Sequence, residues 1–181
     1  ARKLAPVYDV VCTDIYPEMD IKGNNISIVD GDSTPTITDY TNFGSTPVAS
    51  GAISHTFTIY NTGAGNLNLT DSSRVIISGA HASDFSVTLQ PSSPILPSGS
   101  ASFTVVFDPT AGGLRTTSIS IANDDPNENP YNFSIQGTGT TFPEIDIQGN
   151  NTSILDGDTS PSLTDYTDFG SAEATGGTVN R

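Results

Sequence analysis

The chain has 181 residues, 34% of them hydrophobic and 8% aromatic, with one cysteine and no tryptophan. Twenty acidic residues against six basic ones give a net charge of −14, a surface that repels phosphate backbones and anionic lipids and so argues against nucleic-acid binding and electrostatic membrane docking. Cys12 alone excludes an intrachain disulfide, and no apolar run approaches the ~20 residues that cross a bilayer as a helix.

Residues 1–16 carry a strand-like run, Val7 to Val11, and read as a leader or the tail of a preceding region. From there on apolar residues recur with period two, as half-buried strands require. Met19 and Ile21 alternate with Asp20 and Lys22, and Ile53, Phe57 and Ile59 share one parity. Leu67 and Leu69 follow, then Val75 and Ile77, then Phe85, Val87 and Leu89. Phe103, Val105 and Phe107 form the strongest set, followed by Ile119 and Ile121, and by Tyr131, Phe133 and Ile135. Gly, Pro, Asn and Asp fill the gaps, as in Asn61-Thr-Gly63-Ala-Gly65 and Ala111-Gly-Gly113. The one helical candidate is a single turn at Ala80–Asp84. This pattern predicts an all-β chain with an immunoglobulin-like antiparallel β-sandwich. Its inner faces would hold Phe57, Ile59, Phe85, Val87, Phe103, Val105, Phe107, Ile119, Ile121, Phe133 and Ile135.

The chain also repeats itself. Pro17 to Ser45 returns as Pro143 to Ser171 at a constant offset of 126 residues, and nine of the 29 aligned positions differ. A repeat of that period is a whole small domain rather than a solenoid turn. The expected organisation is a leader at 1–16, one sandwich module at 17–141, and at 142–181 the first third of a second copy, taken from a longer tandem array. The second copy alone has too few strands to close a core, so it would be disordered, completed by another chain or docked on the first module, or else cut from a longer chain that completes it.

Asp30-Gly-Asp32 with Asp39 is the densest candidate for chemistry, and it returns as Asp156-Gly-Asp158 with Asp165. Hard cations such as Ca²⁺ take several carboxylate and carbonyl oxygens from a turning loop, which makes these six aspartates candidate Ca²⁺ ligands. The other reading is an Asx-turn loop whose carboxylates bond nearby main-chain amides. A second acidic loop, Asp124–Asn129, could hold a cation near the module junction. Gly31-Asp-Ser33 faintly resembles a hydrolase motif. The repeat replaces Ser33 by Thr159, and the two histidines, His55 and His81, supply no evident base, so no catalytic residue is assigned. Tyr40, Tyr60 and Tyr166 are candidates for stacking on a glycan.

An ordered series of motifs runs along the chain: the Pro-Glu-x-Asp-Ile opening with Gly-Asn-Asn, the segment ending at Asn42-Phe-Gly44, and Thr56-Phe-Thr-Ile-Tyr-Asn-Thr-Gly63. Ile77-Ser-Gly79 with Asp84-Phe-Ser86, Phe107-Asp-Pro-Thr110, Ser120-Ile-Ala-Asn123 and Ile135-Gln-Gly-Thr-Gly139 complete it. These stretches resemble the bacterial choice-of-anchor D module, which is similar to the abnormal-spindle/hydin group of immunoglobulin-like domains. The resemblance implies a non-catalytic spacer or adhesion module of a secreted or surface-anchored bacterial protein, partnered by neighbouring copies of itself. The alternatives are a filament subunit completed by strand donation between chains and a carbohydrate-binding accessory module of a secreted enzyme.

Overall fold

The structure, a computed structural model, describes residues 15–48, 50–172 and 174–178. Cys12, the Val7–Val11 run and Arg181 lie outside the described residues. The chain divides into two compact units, with the boundary between Thr141 and Phe142.

The first described element is a hairpin. β1 (Met19–Gly23) and β2 (Ile26–Ile28) are joined by Asn24 and Asn25, both at left-handed φ (51° and 62°). Two-residue hairpin loops need positive φ at both positions to match the strand twist, and asparagine accepts that conformation at low cost. β1 pairs antiparallel with β4 (Ile53–Asn61), placing Ile21 opposite Ile59 and Gly23 opposite Phe57. β4 pairs with β7 (Ser100–Phe107), and β7 with β6 (Phe85–Leu89). The sheet order is β2-β1-β4-β7-β6.

The opposing sheet has the order β3-β9-β8-β5, built from β3 (Asn42–Pro47), β5 (Ile76–Ser78), β8 (Gly113–Ile121) and β9 (Tyr131–Thr140). All its pairings are antiparallel except β3 with β9, which is parallel. The arrangement matches the immunoglobulin sandwich, with β1, β4, β7 and β6 as one face and β9, β8 and β5 as the other.

Strict alternation drives the packing. β7 buries Ala101, Phe103, Val105 and Phe107 and turns Ser102, Thr104 and Val106 outward. Phe57 stacks on Phe103 with ring centres 5.3 Å apart, and Phe85 on Phe107 at 4.7 Å. Aromatic pairs at this spacing add about 0.5–1.5 kcal/mol beyond the area they bury. Ten of the eleven residues expected on the inner faces are buried, and Val87 is half-buried against the same cluster.

The differences from expectation are local. Leu67 and Leu69 are buried but make only isolated bridges, to Ile95 and Asn123. The expected helical turn is a 3₁₀ turn at Ala82–Asp84. β2 and β3 were not foreseen. β3 hides its periodicity because Gly44 sits at φ 74° and the register slips between Asn42 and Ser45, so Phe43 and Thr46 both face inward three residues apart.

The second unit contains one described hairpin, β10 (Ile147–Gly149) with β11 (Thr152–Ile154). Among the described residues no helix is long and apolar enough to cross a membrane.

Candidate functional site

The segment from Tyr16 to Val48 is an insert laid against a frame of β4 to β9. Asp30 Oδ1 accepts from the Asn132 amide at 2.7 Å, Gly31 N donates to the Asn132 carbonyl at 2.7 Å, and Ser134 N donates to the Asp32 carbonyl at 2.8 Å. Asp30 to Asp32 is thus a short parallel extension along the start of β9, bridged at Phe133. Tyr131 Oη donates to the Ile28 carbonyl, Met19 N donates to Asp125 Oδ2 at 2.8 Å, and Gln136 N donates to the Thr41 carbonyl at 2.9 Å. His55 donates from Nδ1 to the Tyr40 carbonyl at 2.9 Å, and its ring lies between Tyr40 and Phe43, 4.4 Å from each.

The carboxylates of this loop serve the turn. Asp32 Oδ1 accepts from Thr34 N (2.9 Å) and Thr34 Oγ1 (2.7 Å). Buried Asp39 accepts from Thr41 N (3.0 Å) and Thr41 Oγ1 (2.5 Å) through its Oδ1. In the second unit Asp158 accepts from Ser160 N at 2.8 Å, and Asp165 accepts from Thr167 N and Oγ1. The Thr167 hydroxyl, with the Thr167 amide behind it, holds the Asp165 carboxyl below the ordinary carboxylate range. Asp156 is exposed. Among the described residues no three His, Cys, Asp or Glu side chains converge as a metal would require. The geometry of Asp30, Asp32 and Asp39 is therefore that of Asx turns and an interstrand tie.

One charged pair escaped the sequence, and an acidic loop was visible there only as a cluster. Asp84, closed off from solvent in the 3₁₀ turn, pairs with Arg115 of β8 at 2.5 Å and accepts from Thr110 N (2.9 Å) and Thr110 Oγ1 (2.6 Å). Burial alone would raise its pKa, but the bonds from Thr110 and Arg115 outweigh it and hold the carboxyl below its ordinary value. In the 124–129 loop, Asp124 binds Asn68 through both oxygens, and buried Asp125 accepts from Met19 and Asn127. Glu128 in that loop has a buried Oε2 with no hydrogen-bond partner. Burial first, then the charges of Asp125, Glu18, Asp30 and Asp20, push its pKa up to about 7. Acid density made the loop visible in sequence, but not which carboxylate goes unpaired.

The cleft beside the Asp30–Asp32 loop offers little chemistry. It has a volume of about 250 Å³ and is lined by Ser33, Pro35, Thr116, Ser134 and their neighbours, with no titratable side chain. Tyr40 is stacked on His55, and Tyr60 lies under the Lys22 ammonium at 5.3 Å, so one face of each ring is taken.

The second unit repeats the insert's geometry in detail. φ is 51° at both Asn24 and Asn150, 67° and 66° at Tyr40 and Tyr166, and 74° and 70° at Gly44 and Gly170. The Asn24 side chain bonds to the Thr38 carbonyl, as Asn150 does to that of Thr164. Burial differs. Met19, Ile21 and Phe43 are 2%, 0% and 3% exposed, whereas Ile145, Ile147 and Phe169 at the same places are 85%, 58% and 56% exposed.

The chain is similar to a protein of unknown function from Porphyromonas gingivalis W83, at 18% identity and a TM-score of 0.49, over 72% of this chain and 50% of that one. It is similar to the VesB protease of Vibrio cholerae at 20% identity and a TM-score of 0.40, over 55% of this chain and 29% of VesB. The human CEP192 PapD-like domain 7 aligns at 11% identity and a TM-score of 0.42, over 79% of this chain and 99% of the domain. The chain thus spans half of the Porphyromonas protein and less than a third of VesB. No curated protein matches it at a significant level. The sequence profile of the HYDIN/CFA65/VesB-like Ig-like domain matches residues 36–138, more than half of the chain, from the start of the Thr36–Thr41 turn to the last core strand. The chain belongs to the HYDIN/CFA65/VesB-like family of Ig-like domains.

Proposed function

We propose that this chain is a non-catalytic structural segment of a secreted or surface-anchored bacterial protein, in which Ig-like modules in tandem hold other domains away from the cell. The observation that carries the reading is the repeat. Residues 143–171 return with the sequence, turn conformations and local hydrogen bonds of residues 17–45, as consecutive modules of one array do. The titratable groups support it. Buried Asp84 and Asp39 are tied into packing by Thr110, Arg115 and Thr41, and the histidine inside a strand is clamped between two rings. A surface of net charge −14 favours solubility of a long array.

The test is protease shaving of intact cells that express the native protein, followed by peptide mass mapping. Peptides from residues 48–141 released before lysis support the reading. Their release only after lysis contradicts it.

A further inference from the structure

The two outer faces of the sandwich carry the same kinds of side chain but use them differently. On the β4–β7 face the hydroxyls satisfy one another, Thr56 with Thr104 at 3.0 Å and Thr58 with Ser102 at 3.1 Å. On the β8–β9 face Ser118 stands opposite Ser134 and Thr116 opposite Gln136, and among the described residues no hydrogen bond joins the side chains of either pair. A cleft lies over them. We propose that this cleft is a binding site for a neutral carbohydrate, held by hydrogen bonds from Ser118, Ser134, Gln136 and Asp32.

Three observations carry this. The first is the space. Two adjoining hollows, of about 250 Å³ and about 100 Å³, share Ser118 and Ser134 in their walls, so the cleft extends along β9 from Asn132 to Gln136. That run is four residue steps, about 13 Å, which is room for a disaccharide. The second is the lining. Serine hydroxyls and the glutamine amide each donate and accept, as the vicinal hydroxyls of a sugar do. Asp32 spends Oδ1 on Thr34 and keeps Oδ2 as an acceptor, while Pro35 and Ala80 offer carbon to the apolar face of a ring. No Lys or Arg lines either hollow and the chain carries −14, which disfavours an anionic ligand. A cationic one would leave the hydroxyl and amide donors unmatched. The third is order. The Asp32 carbonyl accepts from the Ser134 amide at 2.8 Å, and the Ser78 carbonyl accepts from Thr117 Oγ1 at 2.8 Å, so both walls are tied to the floor. A site formed before binding loses little affinity to reorganisation. Every residue named lies within the first unit. The inference holds whether or not the protein is extracellular.

With no aromatic ring beneath it a single sugar is held weakly, with a Kd of about 1 mM or above. The full chain, labelled with nitrogen-15, is titrated by NMR with maltose, cellobiose, lactose and chitobiose, each to about 50 mM. At least one of them is expected to give saturable shifts centred on the amides of Ser118, Ser134 and Gln136. Ser134→Val removes a hydroxyl shared by both hollows, and valine suits a strand, so the sandwich is kept. The Kd then rises about tenfold or more. Ser102→Val, on the opposite outer face, leaves the Kd unchanged. The dispersion of each spectrum shows that the variant is folded, and Ser118→Val repeats the test if Ser134→Val is not. No saturable shift with any of the four sugars overturns the proposal. Shifts spread equally over both outer faces overturn it, and so does a Kd that the valine in the cleft does not change.

Discussion

Glu128 keeps one carboxyl oxygen out of water among four other carboxylates, and its protonation is coupled to folding. Its pKa in the folded chain, about 7, lies above the ordinary 4.5, so the folded state binds this proton more tightly than the unfolded one. The stabilisation is fully present below pH 4.5 and is lost as pH rises through 7. Glu128→Gln, which removes the charge, raises the thermal midpoint at pH 8 by the equivalent of about 1 kcal/mol, moderated because water reaches part of the side chain. The gain vanishes at pH 4, where the native carboxyl is protonated; unfolding scans across that range check it, and an equal gain at both pH values contradicts it. For Asp30, Asp32 and Asp39, a stabilising Ca²⁺ would make the midpoint fall with a chelator, while hydrogen bonding to Asn132, Thr34 and Thr41 predicts an unchanged midpoint. The acidic loops were legible in sequence as clusters of carboxylates. The direction of each carboxylate was not, because it depends on which amide the fold places beside it, as at Asn132, 102 residues from Asp30.

At the scale of elements, the strands with clean alternation were legible. Phe103-Thr-Val-Val-Phe107 and Tyr131-Asn-Phe-Ser-Ile135 each bury every second residue, and period two survives wherever one face is core and the other solvent. β2 was hidden because its three residues bury only Ile28, and β3 because the Gly44 bulge breaks the parity on which a strand is recognised. The bulge is itself testable. A Cβ at Gly44 meets nothing within 4 Å, so Gly44→Ala costs only the left-handed backbone, about 1 kcal/mol in a denaturant titration. The two copies of the insert give a sharper contrast. Phe43→Ala removes a ring packed against His55, Phe85 and Phe107 and lowers stability by about 3–5 kcal/mol. Phe169→Ala, at an exposed position, changes it by less than about 0.5 kcal/mol in dilute solution. Equal effects from the two substitutions would mean that both inserts are covered.

For the whole molecule, the account rests on the separation of insert from frame. The repeat was fully legible in sequence, because identity at a constant offset needs no knowledge of the fold. What identity did not reveal is that the repeated segment comprises the strands β1 to β3, contributed to both sheets and closing the core against six later strands. The frame, at residues 53–140, covers β1 to β3, and the described residues of the second unit hold only the hairpin of β10 and β11. Hydrogen exchange at low micromolar concentration tests this most directly. Amides of β1 bonded to β4 are expected to exchange at least a hundredfold more slowly than amides of β10, which belong to a two-stranded hairpin. Equal protection of β1 and β10 in a monomeric sample would contradict it.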